Sequence, residues 1–198
     1  MVRQNAGVNV LTAGTEDLPV LAATLADAFS DDPVWCWLIP ERGRQERLMR
    51  VFATLLGHGI AHGQVMTTVD RQSVAMWSAP GQWKLPPLSV LRATPHLVRA
   101  AGAHLPRLLR RLGEVERAHS QQPQQHQYLE IIGTAAAARG LGHGTALLQE
   151  AFARLPAMPI YLESSTARNL PFYLRHGFEV TGGVSVSSGP PQWTLWRD

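Results

Sequence analysis

Apolar positions along this chain change their period several times, and each change marks an element. The run from Val8 to Thr12 predicts a first strand. Leu18, Leu21, Ala22, Leu25, Ala28 and Phe29 then recur at three- and four-residue steps, which predicts an amphipathic helix capped by Thr15 ahead of Glu16 and Asp17. Ser30-Asp31-Asp32-Pro33 stops it, because the residue before a proline is pushed out of helical geometry. Trp35, Cys36, Trp37, Leu38 and Ile39 form an aromatic cluster that either covers the core or walls a pocket. From Arg44 to His62 a second helical period sends Leu48, Val51, Phe52, Leu55, Leu56 and Ile60 inward. Strands from Gln64 to Val69 and from Ser73 to Ser78 flank the turn Asp70-Arg71-Gln72, and Pro80-Gly81 ends the hairpin.

Prolines at 86, 87 and 95 punctuate the next segment, which reads as helical from Leu88 to Ala103 and from Pro106 to His119. Gln121 to Gln127 is a polar loop. Tyr128, Leu129, Ile131 and Ile132 make a buried strand whose only charge is Glu130. After Gly144 the helical period returns in Leu147, Leu148, Ala151, Phe152 and Leu155. Pro159 to Glu163 is a further strand, Asn169 caps a short helix with Pro171 in its first turn, and Gly177 follows that helix. Phe178 to Val186 and Trp193 to Trp196 alternate as closing strands. This order predicts an α/β (α+β) fold with a mixed, mostly antiparallel sheet flanked by helices. One domain over 1–198 is expected, with 84–125 a variable helical segment within it.

A length of 198 residues suits one sizeable core. No apolar run is long enough to cross a bilayer, and Met1 to Gly14 has no apolar signal core, so no membrane partner and a cytoplasmic location are expected. Cys36 is the single cysteine and forms no internal disulfide, which agrees. The net charge of +3 is carried by arginine, with Lys84 the only lysine. Arg92, Arg99, Arg107, Arg110, Arg111 and Arg117 read as a solvated helical face, or as an electrostatic pull on an anionic ligand. Stacking aromatics do not interleave them, so no nucleic-acid partner is expected. His58 and His62 lie one turn apart without a third ligand or a His-Glu-x-x-His pattern, and no metal is expected.

The chemistry gathers between the strand at 128 and the helix at 144, where Gly140, Gly142 and Gly144 alternate. Such a turn aims main-chain N–H groups at one point beside a helix N-terminus, an anion site. A nucleotide-triphosphate loop would need Lys and Ser or Thr after the last glycine, but Thr145 and Ala146 stand there. A dinucleotide fingerprint would want a third glycine where Thr145 stands, although Glu163 is suitably placed for a ribose; a nicotinamide-dependent oxidoreductase is thus the weaker alternative.

Arg139-Gly140-Leu141-Gly142-His143-Gly144 resembles the pyrophosphate loop of the GNAT superfamily of N-acetyltransferases. Tyr161-Leu162-Glu163-Ser164-Ser165, Arg168-Asn169-Leu170-Pro171-Phe172-Tyr173 and Gly177-Phe178 are similar to the closing segment of the puromycin N-acetyltransferase branch. The resemblance implies acetyl-CoA as cosubstrate and a sheet splayed at its central strands. Main-chain groups of Ile132, Gly133 and Thr134 would hold the pantetheine arm, and amides of Arg139, Gly140, Leu141, Gly142, His143, Gly144 and Thr145 the pyrophosphate. Asn169 shares the helix side of Tyr173, which is expected to protonate the departing sulfur. Glu130 is the expected base; Glu163, Asp32 or a water chain are the alternatives. Asp31, Asp32 and Trp35 border the expected acceptor site.

This sequence departs from the family where Thr134 and Ala136 stand in place of Val or Ile and a proline, and where His143 replaces an apolar residue. Asp32 also stands where the puromycin branch carries an aromatic residue. The expected reaction is direct transfer of acetyl to a primary amine of a small molecule by a monomer or homodimer; a non-catalytic acyl-CoA sensor is the alternative.

Overall fold

The computed structural model describes residues 7–62, 64–83, 87–123 and 125–198, with 87–93 described by their main chain alone. The chain runs β1 (Val10–Thr12), α1 (Leu18–Ala28), α2 (Pro33–Leu38), α3 (Arg44–Ala61), β2 (Val65–Thr68) and β3 (Ser73–Ser78). It continues through α4 (Pro87–Ala101), α5 (Leu105–Ser120), β4 (Gln127–Thr134), α6 (His143–Arg154), β5 (Ile160–Ser164), α7 (Leu170–Leu174), β6 (Glu179–Gly183) and β7 (Trp193–Arg197). The seven strands lie in the order β1-β2-β3-β4-β5-β7-β6. Only β4 and β5 pair in parallel, so the sheet is mixed and mostly antiparallel, as its sequence predicts. The start of the 84–125 segment, Lys84 to Pro86, and Gln124 in its closing loop lie outside the described residues.

Two hydrophobic clusters cover the sheet. One joins α1, α2 and α3 with the ends of α4 and α5 around Leu25, Leu48, Phe52 and Leu56; the other joins α6 and α7 with β3, β4, β5 and β7 around Leu147, Leu148, Leu162 and Phe178. Gly133 lets α1 come down onto β4: a Cβ there would lie 2.9 Å from a Leu25 methyl and 3.0 Å from the Phe29 ring. Any larger residue would push the helix off the strand.

The sheet opens at its centre. β4 pairs with β3 from Tyr128 to Thr134, yet with β5 only at Gln127↔Ile160 and Tyr128↔Tyr161. Beyond those two pairs one edge of β4 has no strand beside it. The β3–β4 register also shifts: Met76 faces Ile131 and Trp77 faces Leu129, which leaves Glu130 as the additional residue of a bulge.

Local details correct three expectations. Thr15 does not cap α1; it begins a 3-10 turn over Thr15–Asp17, and the Asp17 carboxylate accepts from the Gly14 N–H at 3.0 Å and from Arg71 Nε at 3.0 Å. The stop at Ser30–Pro33 also starts a helix, because Asp32 Oδ1 accepts from the N–H groups of Val34 and Trp35 at 2.9 and 3.0 Å. Asn169 makes no side-chain cap; Thr166 does so, accepting from Arg168 N at 3.3 Å ahead of a 3-10 turn that leads into α7.

The arginine face of α5 is only partly solvated. Arg111 is buried, donating to the carbonyls of Ser188 and Pro190 at 3.0 Å each and to Gln192 Oε1 at 2.7 Å. Glu114, one turn on, accepts from Ser187 N at 2.8 Å and Ser187 Oγ at 2.6 Å. These bonds fasten α5 to the β6–β7 connection. Trp37 of α2 completes the seam, with Arg111 stacked over its ring and Gly189 packed so closely that a Cβ would lie 2.7 Å from it.

Candidate active site

The loop between β4 and α6 bends where its glycines allow. Gly140 has φ 79° and Gly142 φ 90°, left-handed values that suit glycine, and Gly142 hands the chain to α6. Among the described residues the main-chain N–H groups of Gly140, Gly142, His143, Gly144 and Thr145 have no main-chain acceptor. Several belong to the first turn of a twelve-residue helix, where the positive end of its dipole adds to them.

They border a cleft of about 690 Å³, lined also by Ile132, Gly133 and Thr134 on the open edge of β4, by the end of α1, and by Asn169, Phe172 and Tyr173. Gly144 stands against the Phe172 ring, which a Cβ would approach to 3.2 Å, so the cleft floor has no room for a larger residue there. Arg139, Arg168 and Arg175 line the same cleft. Asp31 holds the first two in place, accepting from Arg139 Nη2 at 3.3 Å and Arg168 Nη2 at 3.3 Å, while Arg139 also donates to the Ala28 carbonyl at 2.8 Å. Burial works to raise the Asp31 carboxyl, but the two guanidinium groups win and hold it below its ordinary range.

His143 fixes the loop from below. Its side chain is buried, and Nε2 lies 2.8 Å from Asp70 Oδ2 in the β2–β3 turn. Burial would raise Asp70, yet hydrogen bonds from Thr68, His143 and Gln72 bring it down to about 2. The polar residue at a position expected to be apolar therefore serves the structure, because it ties the first turn of α6 to the hairpin. Tyr173 is buried on the cleft wall, and burial, then the negative charge of Asp32, push its phenol above the ordinary value.

Glu130 is elsewhere. The bulge turns it into a second cavity, with Tyr128, on the α3 and α5 side of β4. Its carboxylate is hydrogen-bonded by Ser78 Oγ, and burial raises its pKa. Glu163 accepts from Tyr128 Oη at 2.7 Å, and burial lifts it to about 7. The Tyr161 hydroxyl and Glu163 Oε1 are also sealed from solvent, and the two side chains interact with each other.

The model of the Acetyltransferase (GNAT) family matches residues 100–178, which contain β4, the glycine loop, α6, β5 and α7. An uncharacterized N-acetyltransferase of Schizosaccharomyces pombe is 29% identical over 175 residues, covering 82% of this chain and 71% of its own. Histone acetyltransferase HPA2 and related acetyltransferase from Corynebacterium glutamicum, a crystal structure, superposes with a TM-score of 0.71 at 26% identity, covering 96% of this chain and 94% of that one. In its central sequence and in its fold the chain is thus similar to the GNAT superfamily of N-acetyltransferases. Arylalkylamine N-acetyltransferase 2 from Aedes aegypti shares the GNAT fold at 10% identity, with a TM-score of 0.63 over 96% of this chain and 97% of that one. These likenesses support an acetyl-CoA-dependent acetyltransferase, and the oxidoreductase alternative is set aside.

Within this GNAT frame the structure brings Ile132 to Thr134, Arg139 to Thr145, Asn169 and Tyr173 to one cleft. Asp31 and Asp32 also line it, but each is engaged: Asp31 by two arginines, and Asp32, buried, by the first turn of α2 and by Ser165 Oγ. Trp35 packs into the core, its ring 5.0 Å from that of Phe52 and 6.2 Å from that of Phe29. The contributions of Arg175, Phe172 and Asp70 went unread in the sequence. Phe172 stands in plain view between Pro171 and Tyr173, whereas nothing in sequence links Asp70 to His143.

Proposed function

We propose that the cleft takes acetyl-CoA and that the chain transfers its acetyl group to a primary amine of a small molecule, by direct attack in a ternary complex. The amides of Gly140, Gly142, His143, Gly144 and Thr145, which have no main-chain acceptor among the described residues and stand at the positive end of α6, carry this reading. A diphosphate satisfies those donors, and Arg139, Arg168 and Arg175 add cationic charge around them. The pantetheine arm follows the open edge of β4 at Ile132, Gly133 and Thr134, adding main-chain bonds where β5 has turned away. The thioester supplies an electrophilic carbonyl carbon and a thiolate leaving group.

Amine nitrogen attacks that carbon, the C–N bond forms, and the C–S bond breaks as the tetrahedral intermediate collapses. Tyr173 donates a proton to the thiolate. A phenol near 10 and a thiol near 8.5 make this transfer modestly uphill in water, and the separation widens where burial raises the phenol. Glu130 acts as the base, the carboxyl group on β4 nearest to the arm. Asn169 lines the cofactor side of the cleft beside α7, and Asp31 keeps Arg139 and Arg168 directed at the phosphates.

Isothermal titration tests the loop assignment. Acetyl-CoA is expected to bind in the micromolar range and pantetheine, which lacks the phosphates, at least tenfold more weakly; equal affinity overturns the assignment.

A further inference from the structure

We propose that the second cavity is the acceptor pocket and that it selects a primary monoamine borne on an apolar, preferably aromatic, body, with the ammonium group paired to Glu130. The inference rests on the cleft being the acetyl-CoA site and adds the substrate class. The cavity holds about 390 Å³, at the small end of the range of small-molecule sites. It shares β4 with the cleft: Ile132 lines one and Glu130 the other. Two residues of extended chain span roughly 7 Å. Both lie just beyond the Tyr128↔Tyr161 pair, where β4 and β5 part, so a thioester on one side and an amine on the other meet through the opening in the sheet.

The walls decide what enters. Leu55, Met76, Leu112 and Val115 present aliphatic and thioether surface, and Trp83 adds an indole stacked on the His119 ring at 4.0 Å and 14°. At the strand end stand Ser78 and Glu130. Among the described residues no lysine or arginine lines the cavity, so the inner carboxylate has a hydroxyl as its partner and no cation. An ammonium ion supplies the missing charge while its apolar body covers the walls. His58 stands in the same lining, and burial, together with the neighbouring His62, lowers its pKa, so it adds no positive charge to oppose that ion near neutral pH. The other lining carboxylate, Glu116, lies on the exposed side of α5. A polyamine threaded inward would set its further charges against the apolar surface of Leu55, Met76 and Val115, with Glu116, on the exposed side, the one other carboxylate of the described lining.

The protons balance. Glu130 takes one from the ammonium and frees the lone pair that makes the C–N bond. As the C–S bond breaks, the thiolate takes the Tyr173 proton. The amide nitrogen gives up a second proton, which returns to Tyr173 through water, and Glu130 releases its own to solvent.

The test uses the full chain and three measurements: calorimetric binding of phenethylamine to the protein alone, initial rates with phenethylamine, tryptamine, spermidine and kanamycin, and acetyl-CoA affinity. Leu112 is half exposed at the cavity mouth, so Leu112→Trp fills the entrance with little effect on folding. Phenethylamine is expected to bind and to exceed spermidine and kanamycin at least tenfold in kcat/KM. Leu112→Trp is expected to reduce both its binding and its kcat/KM tenfold or more, at unchanged acetyl-CoA affinity. Preference for spermidine or kanamycin, no phenethylamine binding, or indifference to Leu112→Trp overturns the proposal. Loss of acetyl-CoA binding in the wild type overturns the cleft assignment instead, while phenethylamine binding and its dependence on residue 112 still decide the pocket.

Discussion

Burial and neighbouring groups set the protonation of three single side chains, Tyr173, Glu163 and Asp70, each with a measurable consequence. Tyr173 is held neutral by burial and by Asp32, so it stays a proton donor across the physiological range. Replacing it with Phe is expected to lower kcat by 10²-fold or more, the range of a positioned general acid, with acetyl-CoA affinity unchanged by calorimetry. Equal loss of affinity would make it a packing residue. Glu163 is raised to about 7, so between its unfolded value near 4.5 and 7 the folded chain holds a proton that the unfolded chain has released. The folded state binds more protons in that window, and stability therefore falls as pH rises through it, by no more than roughly 3 kcal/mol. A series of melting curves from pH 4.5 to 7.5 is expected to show this decline, and Glu163→Gln to flatten it. Asp70 has the opposite sign: its depressed value near 2 adds stability above pH 4 that is lost as pH falls further.

At the scale of elements, α5 is held to the β6–β7 connection by a buried ion pair and its hydrogen bonds, while its Leu112, Val115, Glu116 and His119 line the second cavity. Arg111 Nε lies 3.3 Å from Glu114 Oε2, both side chains nearly inaccessible. Removing one partner leaves the other charge buried: Arg111→Ala is expected to cost roughly 3 kcal/mol, a fall of about 6–12 °C in Tm, and Arg111→Met with Glu114→Gln to recover part of it. A loss below 2 °C in differential scanning calorimetry would show the pair to be solvated. None of this was visible in sequence, where Arg110 and Arg111 differ in nothing but position, as do Glu114 and Glu116. Elements with their own periodic signal were legible: α3 was expected from Arg44 to His62 and ends at Ala61, and β3 matches its expected bounds. The glycine loop was legible for the same reason, since its alternation is a local backbone requirement. The short helix α2 was missed, because its tryptophans read equally well as wall or core and the Asp32 cap doubles as the stop of α1. Glu130 was placed by its register on the cofactor strand, and the bulge there sets which cavity it faces.

Over the whole molecule, one hydrophobic cluster is built on α1 to α5 and the other on α6 and α7, and β4 and β5 part at the centre of the sheet they share. The cleft there is bordered by the end of α1 from one layer and by α6 and α7 from the other. A cosubstrate seated in it contacts both, so its binding energy is added to the cooperative unfolding of the whole chain. At a hundred times its Kd, coenzyme A is expected to stabilise the fold by about 2.7 kcal/mol, a Tm rise of about 5–11 °C for a chain of this size. Pantetheine at the same concentration is expected to give little, since it leaves the amides from Gly140 to Thr145 unsatisfied. Hydrogen exchange locates the effect: those amides should slow on addition of coenzyme A, together with the β4 residues 132–134, whereas α3 and the β2–β3 hairpin should exchange as before. Protection confined to the second cavity, with no slowing in the glycine loop, would mean that the anionic cosubstrate enters from the α5 side and that the two cavities have exchanged roles.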